Sequence, residues 1–213
     1  AARLGLAEEL RGHVLRPRRP DADADHGGRA HAGEDRRERE RQVLWIHPQD
    51  AAERDIVAQV ELWDRFDFAR EPWQRNPYNP RNNVNYTAEE TGLPVNVTTH
   101  PTRTENNFFW SVPAERNLET VLKYQRRFVD KLLWISLSHG NVMYCMDNET
   151  SVTPEWGWYW SKHIQERAKA AGVGVHTTEM WDAWDLANAQ HNATFDHPET
   201  YSFVDISQNN HQK

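Results

Sequence analysis

Between Arg16 and Gln42 the chain contains no Val, Ile, Leu, Met, Phe, Trp or Tyr. Arginine, acids, alanine, glycine, histidine and proline fill the stretch, in runs such as Asp21-Ala22-Asp23-Ala24-Asp25 and Arg36-Arg37-Glu38-Arg39-Glu40-Arg41. Without apolar surface to bury, nothing offsets the entropy of ordering, so residues 1–42 are predicted to be a disordered or aberrant low-complexity segment. A charged interaction tail is one alternative. Out-of-frame translation is another, because the composition changes sharply at Val43.

Other absences narrow the class. A single cysteine, Cys145, excludes an intrachain disulfide. No apolar run approaches the roughly 20 residues that span a bilayer, so no membrane partner is expected. The formal charge of −7 argues against a polyanion-binding surface, and no nucleic-acid partner is expected. No basic region precedes a long apolar stretch near the start, so no signal peptide is read. The first residue is Ala1 rather than Met, which gives the expectation of a fragment or a processed product. Composition leaves the compartment open.

Tryptophan, by contrast, is abundant. All ten lie between Trp45 and Trp184. An indole suits burial in a core, and its apolar face with a polar N–H also suits stacking on sugars.

From Val43 onward the pattern is orderly. Ile56–Trp63 is β-rich and mostly apolar, a predicted buried strand. A long polar loop follows over about 65–113. A helix is predicted over 114–139, with Val121, Phe128, Leu132 and Ile135 on its buried face and Gly140 placed to end it. Asn141–Met146 is a second strand. Thr153 and Pro154 supply an N-cap and a first-turn proline for a second helix, which stops at Gly172. Val173–Glu179 and Tyr201–Ile206 are read as third and fourth strands, with a short helical piece around 183–190. Strands alternating with helices predict parallel βαβ units in an α/β fold.

Parallel strands deliver their C-terminal ends to one face. That gathers Glu61, Asp64 and Asp67; Asp147, Asn148 and Glu149; Glu179, Trp181, Asp182 and Asp185; and Asn209 with His211. Each member has a plain structural reading: Glu61 as a paired core carboxylate, the aspartates as loop caps, His176 as a core histidine. Together they suggest a functional pocket of acids, amides and indoles. A metal centre built from Glu179, Asp205 and His211 is a further alternative, since hard cations favour oxygen ligands. No tight ligand spacing supports it, and no metal or cofactor is expected.

Asn148-Glu149 after an apolar strand and before a capped helix resembles the acid/base signature of clan A glycoside hydrolases, the cellulase-like barrels. The wider text over Ile56 to the C-terminus is similar to bacterial cellulase-like barrel proteins. The resemblance implies a partial (β/α)8 TIM barrel over 43–213 with about four recognisable parallel strands. It implies a retaining two-carboxylate attack on O-glycosidic bonds of an oligo- or polysaccharide. Glu149 would be the general acid/base and Asn148 its substrate-positioning neighbour. Trp63, Asp64, Trp110, Glu179, Trp181, Asn209 and His211 would line the substrate, with the amides of Asn76–Asn85 as further hydroxyl-binding groups. The clan takes its nucleophile from the seventh strand. Counting Ile56–Trp63 as the third places that strand beyond Lys213, so the expectation is a truncated barrel lacking its nucleophile. The resemblance also implies a secreted or periplasmic location. Two other outcomes stay open: a non-catalytic carbohydrate-binding relative, and the metal-dependent sugar isomerase or epimerase already named.

Overall fold

The structure, a computed structural model, describes residues 48–103 and 105–207. The expectations for residues 1–42, Asn209 and His211 lie outside the described residues.

Three strands form one parallel sheet in the order β1 (Ala58–Asp64), β2 (Val142–Asn148), β3 (His176–Thr178). Among the described residues the helices are α1 (Pro48–Ala52), α2 (Arg70–Arg75), α3 (Ala88–Thr91), α4 (Glu119–Ser136), α5 (Pro154–Ala170) and α6 (Asn192–Phe195). The architecture is mixed α/β. Three hydrogen-bonded strands do not by themselves close a barrel.

The register decides which face is covered. Val60, Tyr144 and Thr177 are aligned across the sheet. Tyr144 bonds the Ser136 hydroxyl of α4 at 2.7 Å, and Thr177 bonds the Ser161 hydroxyl of α5 at 2.8 Å. Both crossover helices therefore lie on this face. The opposite row, Gln59, Met143 and His176, is exposed or half-buried. His176 is thus an exposed residue bonded to Ser202 at 3.1 Å, not a core histidine.

The fourth predicted strand does not form. Residues 201–206 run beside β3, and Ser202 N–H does reach the Thr177 carbonyl at 3.0 Å. The other ties use hydroxyls: Thr178 Oγ1 donates to the Phe203 carbonyl at 2.9 Å and accepts the Asp205 amide at 3.2 Å. Side chains that bond backbone offer an alternative to a ladder, and Thr and Ser supply it here.

Helix α4 is shorter than its pattern suggested, and its buried face is rotated. Val121 is buried as expected, but Phe128 and Ile135 are 42% and 45% exposed, and Leu132 is only partly buried. The buried residues instead include Gln125 and Ser136. Gln125 donates to the Phe108 carbonyl at 2.9 Å, and Ser136 meets Tyr144. Satisfied polar groups can face inward, and a pattern based on hydropathy alone assigns them to solvent. Gly140 does not adopt the left-handed region and lies past the helix end. Helix α5 follows two of its three signals: the Thr153 hydroxyl donates to Glu115 and does not cap the helix, whereas Pro154 sits in the first turn and Gly172, at φ 73°, closes the C-terminus. There the Val173 and Gly172 amides reach the Ala168 and Lys169 carbonyls, a paired capping arrangement.

The long polar loop proves internally structured. It holds α2, α3 and three short 3₁₀ turns. Thr87 and Glu90 cap α3 reciprocally, and Gly92 ends it at φ 66°. The core is aromatic: Trp63 packs against Phe68, Tyr78, Phe108, Phe128, Trp156 and Trp160 at centroid distances of 4.9–6.3 Å.

The two crossover helices are joined by Asp130. Its carboxylate accepts from His163 Nε2 at 2.9 Å and from Arg167 Nε and Nη2 at 2.9 and 2.7 Å. Burial pushes this carboxyl up, but His163 and Arg167 outweigh it and hold the carboxyl below its ordinary range. Its contribution is therefore present above the unfolded value near 3.9 and is lost as pH falls through the lower folded value. Because Arg167 is 45% exposed, solvent screening keeps the effect small. Asp130→Asn should cost about 1 kcal/mol at neutral pH and almost nothing in strong acid, measured by denaturant unfolding at both pH values.

Candidate active site

Beyond β2 the pairing with β3 is interrupted and then resumes. Cys145 pairs with Thr178, and the next bridge joins Thr150 to Trp181. Between these pairs β2 advances from 145 to 150 while β3 advances only from 178 to 181, which leaves two residues of β2 in a bulge. The bridge is firm: Thr150 N–H reaches the Met180 carbonyl and Asp182 N–H reaches the Thr150 carbonyl, each at 2.8 Å. A bulge re-aims side chains. Here the residue turned is Glu149, left-handed at φ 48° and half-buried. For a residue with a Cβ this conformation costs about 1–3 kcal/mol and persists only where the surroundings enforce it.

Beside it, Asn148 Nδ2 donates to Asp64 Oδ1 at 3.2 Å, tying the end of β2 to the end of β1. Asp64 Oδ1 also accepts the Phe66 amide at 2.9 Å. Phe66, 36% exposed, sets an aromatic surface next to this pair and meets His100 edge-on at 5.9 Å. Glu61 lies on the open face of the sheet. Partial desolvation, then the charges of Asp64, Asp205 and Glu149, raise its carboxyl above the ordinary range. It is therefore not a paired core carboxylate, and its acidic neighbours share its surroundings.

Underneath lies a second, fully buried set. Arg65 is 1% exposed, and Asp147 and Glu179 are 0% exposed. Arg65 Nε stands 3.9 Å from Asp147 Oδ2, Arg65 Nη1 donates to Thr150 Oγ1 and Ser151 Oγ at 3.3 Å, and its guanidinium covers the Phe109 ring at 4.7 Å. Asp147 Oδ1 accepts the Asn148 amide at 3.0 Å. The Glu179 carboxylate packs against the helix α5 backbone at Gly157, where an added Cβ would fall 2.1 Å from Glu179 Oε2 and 2.3 Å from the Tyr201 hydroxyl. Only glycine fits there. Desolvation drives both carboxyls well above their usual range; the Asp147 charge adds to the rise at Glu179, the Asp64 charge adds to that at Asp147, and Arg65 opposes the rise in both. One cation thus serves two buried carboxyls.

The structure brings Asn148, Glu149 and Asp64 together at the strand ends, and places Glu179 directly beneath them in the buried cluster. It does not open the indoles. Trp63 and Trp181 are 3% and 2% exposed, with Trp63 inside the aromatic core and Trp181 Nε1 bonded to Thr194 at 2.8 Å. A sugar platform needs an open ring face, so their size and shape serve packing instead. Glu179, sealed against Gly157, likewise has no surface for a substrate. Trp110 is half-buried, with Arg116 over its ring at 5.4 Å. The asparagine loop is also committed to structure. Asn79 bonds the Trp73 and Val95 carbonyls, Asn82 those of Gln74 and Asn76, and Asn83 those of Pro77 and Asn79. Of the proposed metal ligands, Asp205 is held by Gln59 at 2.8 Å, and no group of three His, Cys, Asp or Glu among the described residues is placed to hold an ion.

Arg65, Gly157 and Tyr201 were not singled out from sequence. An arginine directly after an apolar strand ending in Asp64 was the available signal, since an arginine is seldom fully buried unless paired. No described helix is long and apolar enough to cross a membrane. No family model, curated protein or solved structure matches the chain.

Two substitutions check the buried cluster. Burial raises the Glu179 carboxyl well above its unfolded range, so its contribution to stability is present below about pH 4.5 and is lost as pH rises from there toward the higher folded value. Glu179→Gln should flatten that decline, seen as a smaller drop in Tm between mildly acidic and alkaline pH. Gly157→Ala should destabilise by about 1–3 kcal/mol through overpacking, read from the urea midpoint; an unchanged midpoint would refute the close packing.

Proposed function

We propose that this chain is a glycoside-hydrolase-type domain that attacks O-glycosidic bonds of an oligo- or polysaccharide by the retaining two-carboxylate route. In this reading β1, β2 and β3 are consecutive strands of a (β/α)8 barrel. Support for that architecture comes from the parallel order and from both crossover helices lying on one face, which leaves the other face as a barrel interior. Such barrels place their chemistry at the C-terminal ends of the strands.

The observation that carries the reading is Glu149 itself. It sits at a strand end, on a bulge, in a backbone conformation that costs free energy, beside an asparagine fixed by a neighbouring strand. Strain of this kind collects at sites where a side chain must be aimed. Glu149 then gives its proton to the departing glycosidic oxygen as the C–O bond breaks and the anomeric carbon bonds to a second carboxylate, which the resemblance assigns to a later strand than the three described. In the second step it takes a proton from the water that frees the sugar. Asn148, its amide steadied by Asp64, hydrogen-bonds a hydroxyl of the same sugar. Phe66, two residues after Asp64, presents an exposed aromatic ring there.

The test uses the purified chain on a panel of aryl glycosides and soluble oligosaccharides. Cleavage is expected when a small anion such as azide or formate stands in for the second carboxylate, with Glu149→Gln lowering kcat/KM by about 10²–10⁴-fold under the same conditions. The loss should be greatest for poor leaving groups, which need the proton most. Saccharide binding without cleavage, unaltered in Glu149→Gln, would replace this reading with that of a non-catalytic carbohydrate-binding relative. Neither binding nor cleavage would end both.

A further inference from the structure

Glu149 needs a reason to stay left-handed, and pairing with β3 supplies only part of it. The Thr150–Trp181 bridge fixes the chain after the bulge, while the ladder at Cys145 fixes it well before. Between them the buried guanidinium of Arg65 spans the gap. On one side its Nε stands 3.9 Å from Asp147 Oδ2, and Asp147 in turn accepts the Asn148 amide at 3.0 Å. On the other side Nη1 donates to Thr150 and Ser151 at 3.3 Å each. Residues on both flanks of Glu149 are thereby tied to a single group.

The group suits the task. A guanidinium is planar and presents donors in a fixed fork, so it reaches several acceptors at set angles, which an ammonium cannot do. It is immobilised by burial and by its stack on Phe109. It also belongs to the segment directly after β1, so β1 dictates the shape of the end of β2.

We propose that Arg65 is a positioning residue: its side chain templates the β2 bulge and thereby holds Glu149 in its strained, outward-aimed conformation. The catalytic consequence rests on the acid/base reading of Glu149. The conformational part does not, and the experiment separates the two.

Thermal unfolding of the full chain provides the conformational arm. Glu149→Gly removes the cost of the left-handed residue and should raise Tm by roughly 3 °C. In an Arg65→Lys background the bulge relaxes, residue 149 leaves that region, and the same substitution should bring no gain. Thr150→Val, which deletes one acceptor of the fork, gives a milder second background if Arg65→Lys prevents folding; there the gain should shrink. Equal gains in all backgrounds would mean that Arg65 only adds stability, and would overturn the proposal. In the activity arm, Arg65→Lys should lower kcat on an aryl glycoside at least tenfold with KM little changed. A lost Tm gain combined with a Glu149→Gln enzyme of full activity would refute the acid/base reading and leave the positioning role standing. An additive Tm cycle with an inactive Glu149→Gln enzyme would do the reverse.

Discussion

A guanidinium with almost no access to water is the constraint from which the rest of this structure follows. Arg65 cannot lose its charge, so the dry interior must compensate it. Asp147 does so from β2, and the hydroxyls of Thr150 and Ser151 take further donors. Glu179 then shares the same interior as a second carboxyl, and burial together with the Asp147 charge raises its carboxyl well above the usual range. Its packing against the Gly157 backbone and beside Tyr201 seals the cluster from solvent. A buried ion pair of this kind adds little net stability compared with apolar packing. What it does add is a single allowed arrangement of three chain segments.

The acids of the strand ends therefore divide into two classes by burial. Asp147 and Glu179 are structural: each is inaccessible to solvent and closed in by packed neighbours. Glu149, Asp64 and Glu61 stand at or near the surface, where partial desolvation and acidic neighbours raise the Glu61 carboxyl. Chemistry on an external ligand belongs to the second class, and shape belongs to the first. Proximity in sequence hides this division, because Asp147 and Glu149 are two residues apart.

Aromatic residues show a comparable reassignment. The indoles of Trp63, Trp156 and Trp160 meet edge-on or tilted, an arrangement favoured by ring quadrupoles. They form the packed layer between the sheet and the two crossover helices. Asn79, Asn82 and Asn83 of the long loop, each bonding two backbone carbonyls, do for that loop what a hydrogen-bond ladder does for a strand. Side chains that look like ligand groups in a sequence are spent here on building the chain's own irregular segment.

The sequence alone determined the alternation of strands and helices, the boundaries of α5 from its Pro154 and Gly172, and the convergence of Asp64, Asn148 and Glu149. These depend on local signals or on the geometry of parallel strands, and neither requires knowledge of packing. Tertiary structure alone decided that α4 turns Gln125 and Ser136 inward, that residues 201–206 stay outside the ladder, and that Trp63, Trp181 and Glu179 are sealed. Three of these outcomes turn on a polar group finding a partner from another segment: Phe108 for Gln125, Thr178 for residues 201–206, Thr194 for Trp181. Burial of a polar side chain is a property of that pair, and a single position in a sequence does not contain it.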